Sequence, residues 1–172
     1  NDDVWNNSFT SKQGYTNGFN LEIIPYYNTT HLFMAGVSQY YSHISKYHRC
    51  SHALFLYNGN LHVYEDGLDK VGAINTYNAF DRFNIIYDGN TIRYYQNGAL
   101  HGYQSNIGSG HTFYCHCSHH IITNDDVYVN FMPYNGKGPT YKDIDTNNSL
   151  NLDYRLRRHS NLIIPYDLCP SF

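Results

Sequence analysis

Six dipeptides in which Asn or Asp precedes Gly punctuate the sequence: Asn17-Gly18, Asn58-Gly59, Asp66-Gly67, Asp88-Gly89, Asn97-Gly98 and Asn135-Gly136. Such pairs readily take the positive φ angles that a tight hairpin turn demands, so each marks a place where an extended chain doubles back. The intervals between them are short and rich in β-branched and aromatic residues, which suits strands and leaves little room for helices. Residues 53–57, 61–65, 82–87 and 91–96 read as four antiparallel strands of one meander.

Alternation sorts their side chains, because successive residues of a strand point to opposite faces. Leu61, Val63, Phe83, Ile85, Ile92 and Tyr94 fall on one face, which is the expected core. His62, Tyr64, Asn84, Ile86, Arg93 and Tyr95 fall on the other. Further strands are expected at 20–25, 112–117, 120–123, 127–132 and 162–165. One stretch has a different period: Phe33, Val37, Tyr40, Tyr41, Ile44 and His48 recur at steps of three and four, which predicts an amphipathic helix over 31–48. Gly36 weakens it, and the rival reading is a strand over 32–37 followed by a loop. Residues 135–151, with Gly136, Gly138, Pro139 and a run of Asp and Asn, read as a long surface loop. The expected fold is therefore mainly β, antiparallel sheet with one helix packed against it; the alternative is a galectin- or concanavalin-like β-sandwich. Residues 1–172 form one domain, read as excised from a longer chain.

The charge balance, 11 Lys and Arg against 14 Asp and Glu, gives no basic field to hold a phosphate backbone, so nucleic acid is not an expected partner. No apolar run approaches the roughly 18 residues of a membrane span, so this segment is not expected to insert in a membrane. The sequence holds 19 Tyr and 21 Asn but only two Glu, a surface of amphipathic rings and amides suited to a polar, uncharged ligand. Sequons begin at Asn6, Asn28 and Asn147. Cys115 and Cys117 lie on one strand face, too strained to bond each other, so any disulfide is expected between Cys50 and Cys169. Clusters around His48-Arg49-Cys50-Ser51-His52 and Cys115-His116-Cys117-Ser118-His119-His120 offer zinc ligands, but not at finger or ribbon spacing. Buried thiols or disulfides are the favoured reading, and no metal or cofactor is expected.

The sequence carries no nucleophile elbow, P-loop, zinc-protease helix or dinucleotide turn, and the chain is read as a binder, not an enzyme. The polar face of the meander gathers His62, Tyr64, Asn84, Arg93 and Tyr95, and His101 and Tyr103 would extend it. A ring can stack on the C–H face of a pyranose while amide, imidazole and guanidinium groups bond its hydroxyls. These seven are the candidate glycan-binding residues; the same residue types also cover ordinary solvated sheet faces. Trp5, the only tryptophan, is either a further stacking platform or a core anchor. Arg155, Arg157 and Arg158 form a basic cluster near the end, which reads as a solvated strand edge or a site for an acidic group.

The two segments 52–65 and 83–98, strand-turn-strand units around Asn58-Gly59 and Asp88-Gly89, resemble the core of concanavalin-like lectin modules. Leu162-Ile163-Ile164-Pro165 with Cys169 after it is similar to the closing strand of the glycan-binding head of the rotavirus outer-capsid spike protein, in a divergent, group B-like form. That resemblance implies a host-attachment head on the virion surface, with host cell-surface glycans and the remainder of the parent spike as partners. The alternatives are an extracellular protein-recognition sandwich and a small secreted hydrolase.

Overall fold

A computed structural model describes residues 5, 7–26, 32–41, 49–119, 127–139 and 155–156. Among the described residues twelve strands appear in this order: β1 (Asn7–Tyr15), β2 (Phe19–Pro25), β3 (Leu32–Ser38), β4 (His52–Tyr57), β5 (Asn60–Glu65), β6 (Leu68–Thr76), β7 (Phe83–Tyr87), β8 (Thr91–Gln96), β9 (Ala99–Asn106), β10 (Phe113–His119), β11 (Val127–Pro133) and β12 (Arg155–Leu156). They form two six-stranded antiparallel sheets, ordered β1-β10-β3-β4-β5-β6 and β12-β11-β2-β7-β8-β9. The result is a β-sandwich. Among the described residues no helix is long and apolar enough to cross a membrane.

The turn dipeptides explain much of this order. At Asn58-Gly59, Asp66-Gly67 and Asn97-Gly98 both residues have positive φ (48° and 78°, 51° and 77°, 50° and 80°), the geometry of two-residue hairpins joining β4 to β5, β5 to β6 and β8 to β9. At Asp88-Gly89 the carboxylate of Asp88 accepts the backbone N–H of Asn90 at 2.9 Å and of Thr91 at 2.8 Å, closing the β7–β8 turn. Asn17-Gly18 behaves differently: it carries the chain from one sheet to the other, and a Cβ on Gly18 would stand 2.6 Å from the Tyr87 carbonyl oxygen.

The expected single meander is two. Strands β4, β5 and β6 are consecutive in the first sheet, and β7, β8 and β9 in the second. Between them the chain crosses through Tyr77, whose ring is buried against Phe83. Both halves turn their apolar faces to one shared interior, so Leu61, Val63, Phe83, Ile85, Ile92 and Tyr94 are all fully buried, as alternation predicts.

The helix expected over 31–48 is corrected over its first half. Residues Leu32–Ser38 form β3, hydrogen-bonded to β10 on one side and β4 on the other, and nearly every side chain is buried. A strand covered on both faces reads as a continuous apolar run, and that run simulated a helical period. Gly36 fits the strand for a steric reason, since a Cβ there would lie 2.3 Å from the His52 carbonyl oxygen. Residues 39–41 of that span form no helix either, and residues 42–48, the strands expected at 120–123 and 162–165, the sequon asparagines Asn6, Asn28 and Asn147, Cys169, Arg157 and Arg158 lie outside the described residues. Strands β1, β6, β9 and β12 were not anticipated; β6 is exposed along nearly its whole length and has no buried stripe to betray it.

Candidate functional site

Splitting the meander splits the candidate residues. His62 and Tyr64 stand on the outer face of the first sheet, whereas Asn84, Arg93 and Tyr95 stand on the outer face of the second. Packed sheets lie about 10 Å apart, so the two groups look into solvent on opposite sides of the molecule. His101 and Tyr103 join neither group. Tyr103 packs against the core and donates its hydroxyl to the Glu65 carboxylate at 2.8 Å. His101, two residues away on the same side of β9, is half-buried, and burial lowers its pKa from 6.5.

On the second sheet most polar groups are engaged. Arg93 forms an ion pair with Asp88. Burial alone would raise the Asp88 carboxyl, but hydrogen bonds from Arg93 and from the N–H groups of Thr91 and Asn90 outweigh it and hold the pKa below its usual value. Arg82 pairs with Glu22 at 3.2 Å. Asn84 donates to Asn20 at 2.9 Å and is only 1% exposed, beyond direct reach of a ligand. Tyr95 is partly exposed and its hydroxyl pKa is raised by burial.

The outer face of the first sheet carries a cluster of rings. Phe55 is its hub, touching Trp5 at 5.8 Å, Tyr57 at 5.6 Å, His62 at 6.0 Å and Tyr64 at 5.4 Å between ring centroids. The Phe55 and Tyr57 planes differ by only 5°, a stacked pair, while Tyr64 meets Phe55 edge-on. Trp5 therefore packs on the outside of the sheet, where Met34, Cys50 and Ala53 form a small buried layer beneath it. Tyr57 ends the row and is 46% exposed. Beside it His62 Nδ1 bonds Asp69 Oδ2 at 2.9 Å, and Asp69 Oδ1 accepts the N–H groups of Val71 at 3.3 Å and Gly72 at 2.9 Å.

Phe55, Tyr57 and Asp69 were not among the sequence candidates. The first two were within reach: a two-residue turn at Asn58-Gly59 fixes the β4–β5 register, and counting outward from it puts Phe55 opposite His62. Asp69 was not, because it reaches His62 only through a β-bulge in the β5–β6 ladder.

The three described cysteines, Cys50, Cys115 and Cys117, are buried and free. Cys50 donates weakly to the His116 carbonyl, and Cys169, its expected partner on oxidation, lies outside the described residues. Cys115 and Cys117 face the core with sulfurs 3.8 Å apart. Among the described residues no group of three or more His, Cys, Asp or Glu is placed to hold a metal ion.

No family profile and no curated protein matches this sequence. Among solved structures the fold is similar to the SPRY domain of human HERC1, at 18% identity and a TM-score of 0.50 over 73% of this chain and 81% of that one. A homodimeric agglutinin from chicken liver, CG-16, aligns at 10% identity and a TM-score of 0.46, over 72% of this chain and 98% of the agglutinin. The alginate lyase AlgAT5 aligns at 18% identity and 0.38, over 72% of this chain and 62% of the lyase. The likeness to the SPRY domain is one of fold, a sandwich of two antiparallel sheets.

Proposed function

We propose that this domain is a noncatalytic carbohydrate-binding module, acting as the host-attachment head of a viral spike on the virion surface. The observation that carries the binding reading is the ring cluster around Phe55, which ends in the exposed, stacked Tyr57 beside an imidazole oriented by a carboxylate. A ring with one side packed and exposed surface beyond it offers a pyranose its C–H face contact at little entropic cost, and polar groups at its rim fix orientation. His62 and Tyr64 stay in the site from the original candidates, and Arg93 and Tyr95 form a second, separate surface. The viral assignment is supported by the likeness of residues 162–165 to the closing strand of the rotavirus spike head.

The noncatalytic part is supported by how the carboxylates are used. Glu22 pairs with Arg82, Asp88 with Arg93, Asp69 with His62 and two backbone N–H groups, and Asp81 with Asn97 and Gln96. Glu65 accepts three hydroxyl groups. A glycosidase needs two carboxyl groups free to face one bond across a cleft, and these five are bound into the scaffold.

The test is a glycan array probed with the purified domain displayed multivalently, since avidity raises weak single-site binding into range. Selective binding that is lost in Tyr57→Ala and His62→Ala is the expected result. Binding lost instead in Arg93→Ala or Tyr95→Ala moves the site to the other sheet. A blank array with folded protein refutes the carbohydrate reading and points to a protein partner, for which a rigid aromatic cluster is an equally suitable hot spot.

A further inference from the structure

We infer that Asn60 and Thr76 supply the hydrogen bonds that hold a sugar on Tyr57, by engaging neighbouring hydroxyls of its ring, an inference that rests on the carbohydrate reading above. The register of the first sheet places them. Tyr57 stands opposite Asn60 across the β4–β5 ladder, and Asn60 opposite Thr76 across the β5–β6 ladder. Residues directly opposite share a face, so Leu32, Tyr57, Asn60 and Thr76 form one row on the outer side of the sheet, at its Asn58-Gly59 end. With strands about 4.8 Å apart, Thr76 is about 10 Å from Tyr57 and Asn60 lies between them. His62 lies one row further in, opposite Phe55.

The polar groups of this row are uncommitted, and the backbone that carries them is fixed. Among the described residues nothing bonds the Tyr57 hydroxyl, the Asn60 side-chain oxygen or the Thr76 hydroxyl, and Tyr57 and Thr76 are exposed. Asn60 gives one N–H to the Asn58 carbonyl at 3.3 Å, a long, exposed bond, and keeps the other. Beneath them the Thr76 N–H donates to Asn75 Oδ1 at 3.0 Å, the Thr76 carbonyl accepts Gln96 Nε2 at 3.0 Å, and the Tyr77 N–H donates to the Gly59 carbonyl at 2.9 Å. A row held this firmly needs little ordering when a ligand arrives. An amide sets an acceptor beside a donor, which matches two adjacent hydroxyls, and the Thr76 hydroxyl serves as either. Charge plays no part, since no member of the row is charged. Arg49 precedes His52, the end of β4 about 17 Å from Tyr57, and Lys70 adjoins Asp69, whose strand partner Tyr64 is near the far end of β5. Recognition by the row is therefore the same whatever charge His62 carries.

The same array, read as apparent affinity over a series of protein concentrations, tests the inference with variants of the row, each checked for folding by its thermal transition. Thr76→Val keeps the shape of the side chain and removes only the hydroxyl, so affinity for every bound glycan should fall about two- to tenfold, the range that one neutral hydrogen bond commands. Asn60→Ala should fall at least as far, and Thr76→Ser, which restores the hydroxyl, should stay within about twofold of the parent protein. Glycan binding that Tyr57→Ala abolishes but either Thr76→Val or Asn60→Ala retains in full overturns the inference and leaves the carbohydrate reading standing. A loss in Thr76→Val that Thr76→Ser does not restore also overturns it, because the hydroxyl is then not the contact. An equal loss in Arg49→Ala or Lys70→Ala moves the polar contacts to the charged end of the sheet and overturns it as well. Binding of no glycan by folded protein overturns the reading beneath it.

Discussion

Glu65, the last residue of β5 in the first sheet, accepts a hydrogen bond from the hydroxyl of Tyr103 on β9 of the second sheet at 2.8 Å. The same carboxylate takes the Tyr94 hydroxyl at 3.0 Å and the Ser105 hydroxyl, and His52 Nε2 lies 3.7 Å away. One side chain thus ties the two sheets together along the side where β6 and β9 are their edges. Nearby, Asn75 of β6 donates to Gln96 of β8 at 2.8 Å, a second tie between the sheets. This clasp takes Tyr103, one of the residues first assigned to binding, and gives it a structural task.

Glu65→Ala strands three hydroxyl groups in a largely buried position, and each unsatisfied buried group costs about 1–3 kcal/mol. A loss of about 3 kcal/mol is expected, allowing for partial access of water to the partly buried pair Tyr103 and Ser105. Urea unfolding followed by tyrosine fluorescence measures it. Leu68→Ala, on the exposed start of β6, is the matched control and should change stability by less than about 0.5 kcal/mol.

Acidification should destabilise the fold through its buried histidines. Burial lowers the pKa of His52 from 6.5, against the opposing pull of Glu65 and Asp66, and burial also lowers that of His101. With folded values below the unfolded one, the unfolded chain takes up protons first as pH falls. Stability is therefore greatest above pH 6.5 and declines as pH drops from 6.5 toward the folded values. Urea midpoints at a series of pH values between these limits check the sign, and His101→Gln should flatten the slope. A midpoint that rises on acidification would contradict it.

Two glycines separate steric from conformational cost. In Gly36→Ala the new Cβ meets backbone and a neighbouring strand, 2.3 Å from the His52 carbonyl oxygen and 2.5 Å from the Ala53 Cβ, so a loss of about 3 kcal/mol is expected. Gly72 has φ of +68° but nothing within 4 Å of the added atom. Gly72→Ala should cost only the left-handed backbone penalty of about 1–2 kcal/mol. Thermal unfolding of both variants gives the comparison, and equal losses would refute the account of β3.

The core thiols should be silent until the protein unfolds. Burial pushes the pKa of Cys50 and Cys115 upward, and proximity of Cys117 adds to the effect on Cys115. A thiolate is the reacting species, so iodoacetamide at pH 8 should leave both unlabelled in the native state and label them in urea. Peptide mass spectrometry reads the sites.

Particular residues show what could be read in advance. The hairpin at Asn58-Gly59 fixed strand, register and facing, and the burial of Leu61, Val63, Phe83, Ile85, Ile92 and Tyr94 follows from alternation alone. The Leu32–Ser38 strand was misread because burial on both faces erases the two-residue period that identifies a strand. Edge strand β6 was missed for the opposite reason, since it has almost no buried face at all.

The sequence by itself determined that this chain is built of short antiparallel strands, where several of them turn, and which side chains point inward, because turn chemistry and alternation act over neighbouring residues. Only the tertiary structure decided which outward residues share a surface. Two strands belonging to different sheets bury their apolar faces in the same core, so alternation assigns His62 and Arg93 alike to the outside. The crossing through Tyr77 then puts them on opposite faces of the sandwich, and the bulge in β5–β6 brings Asp69 to His62. Both are consequences of long-range packing, for which a local pattern holds no record.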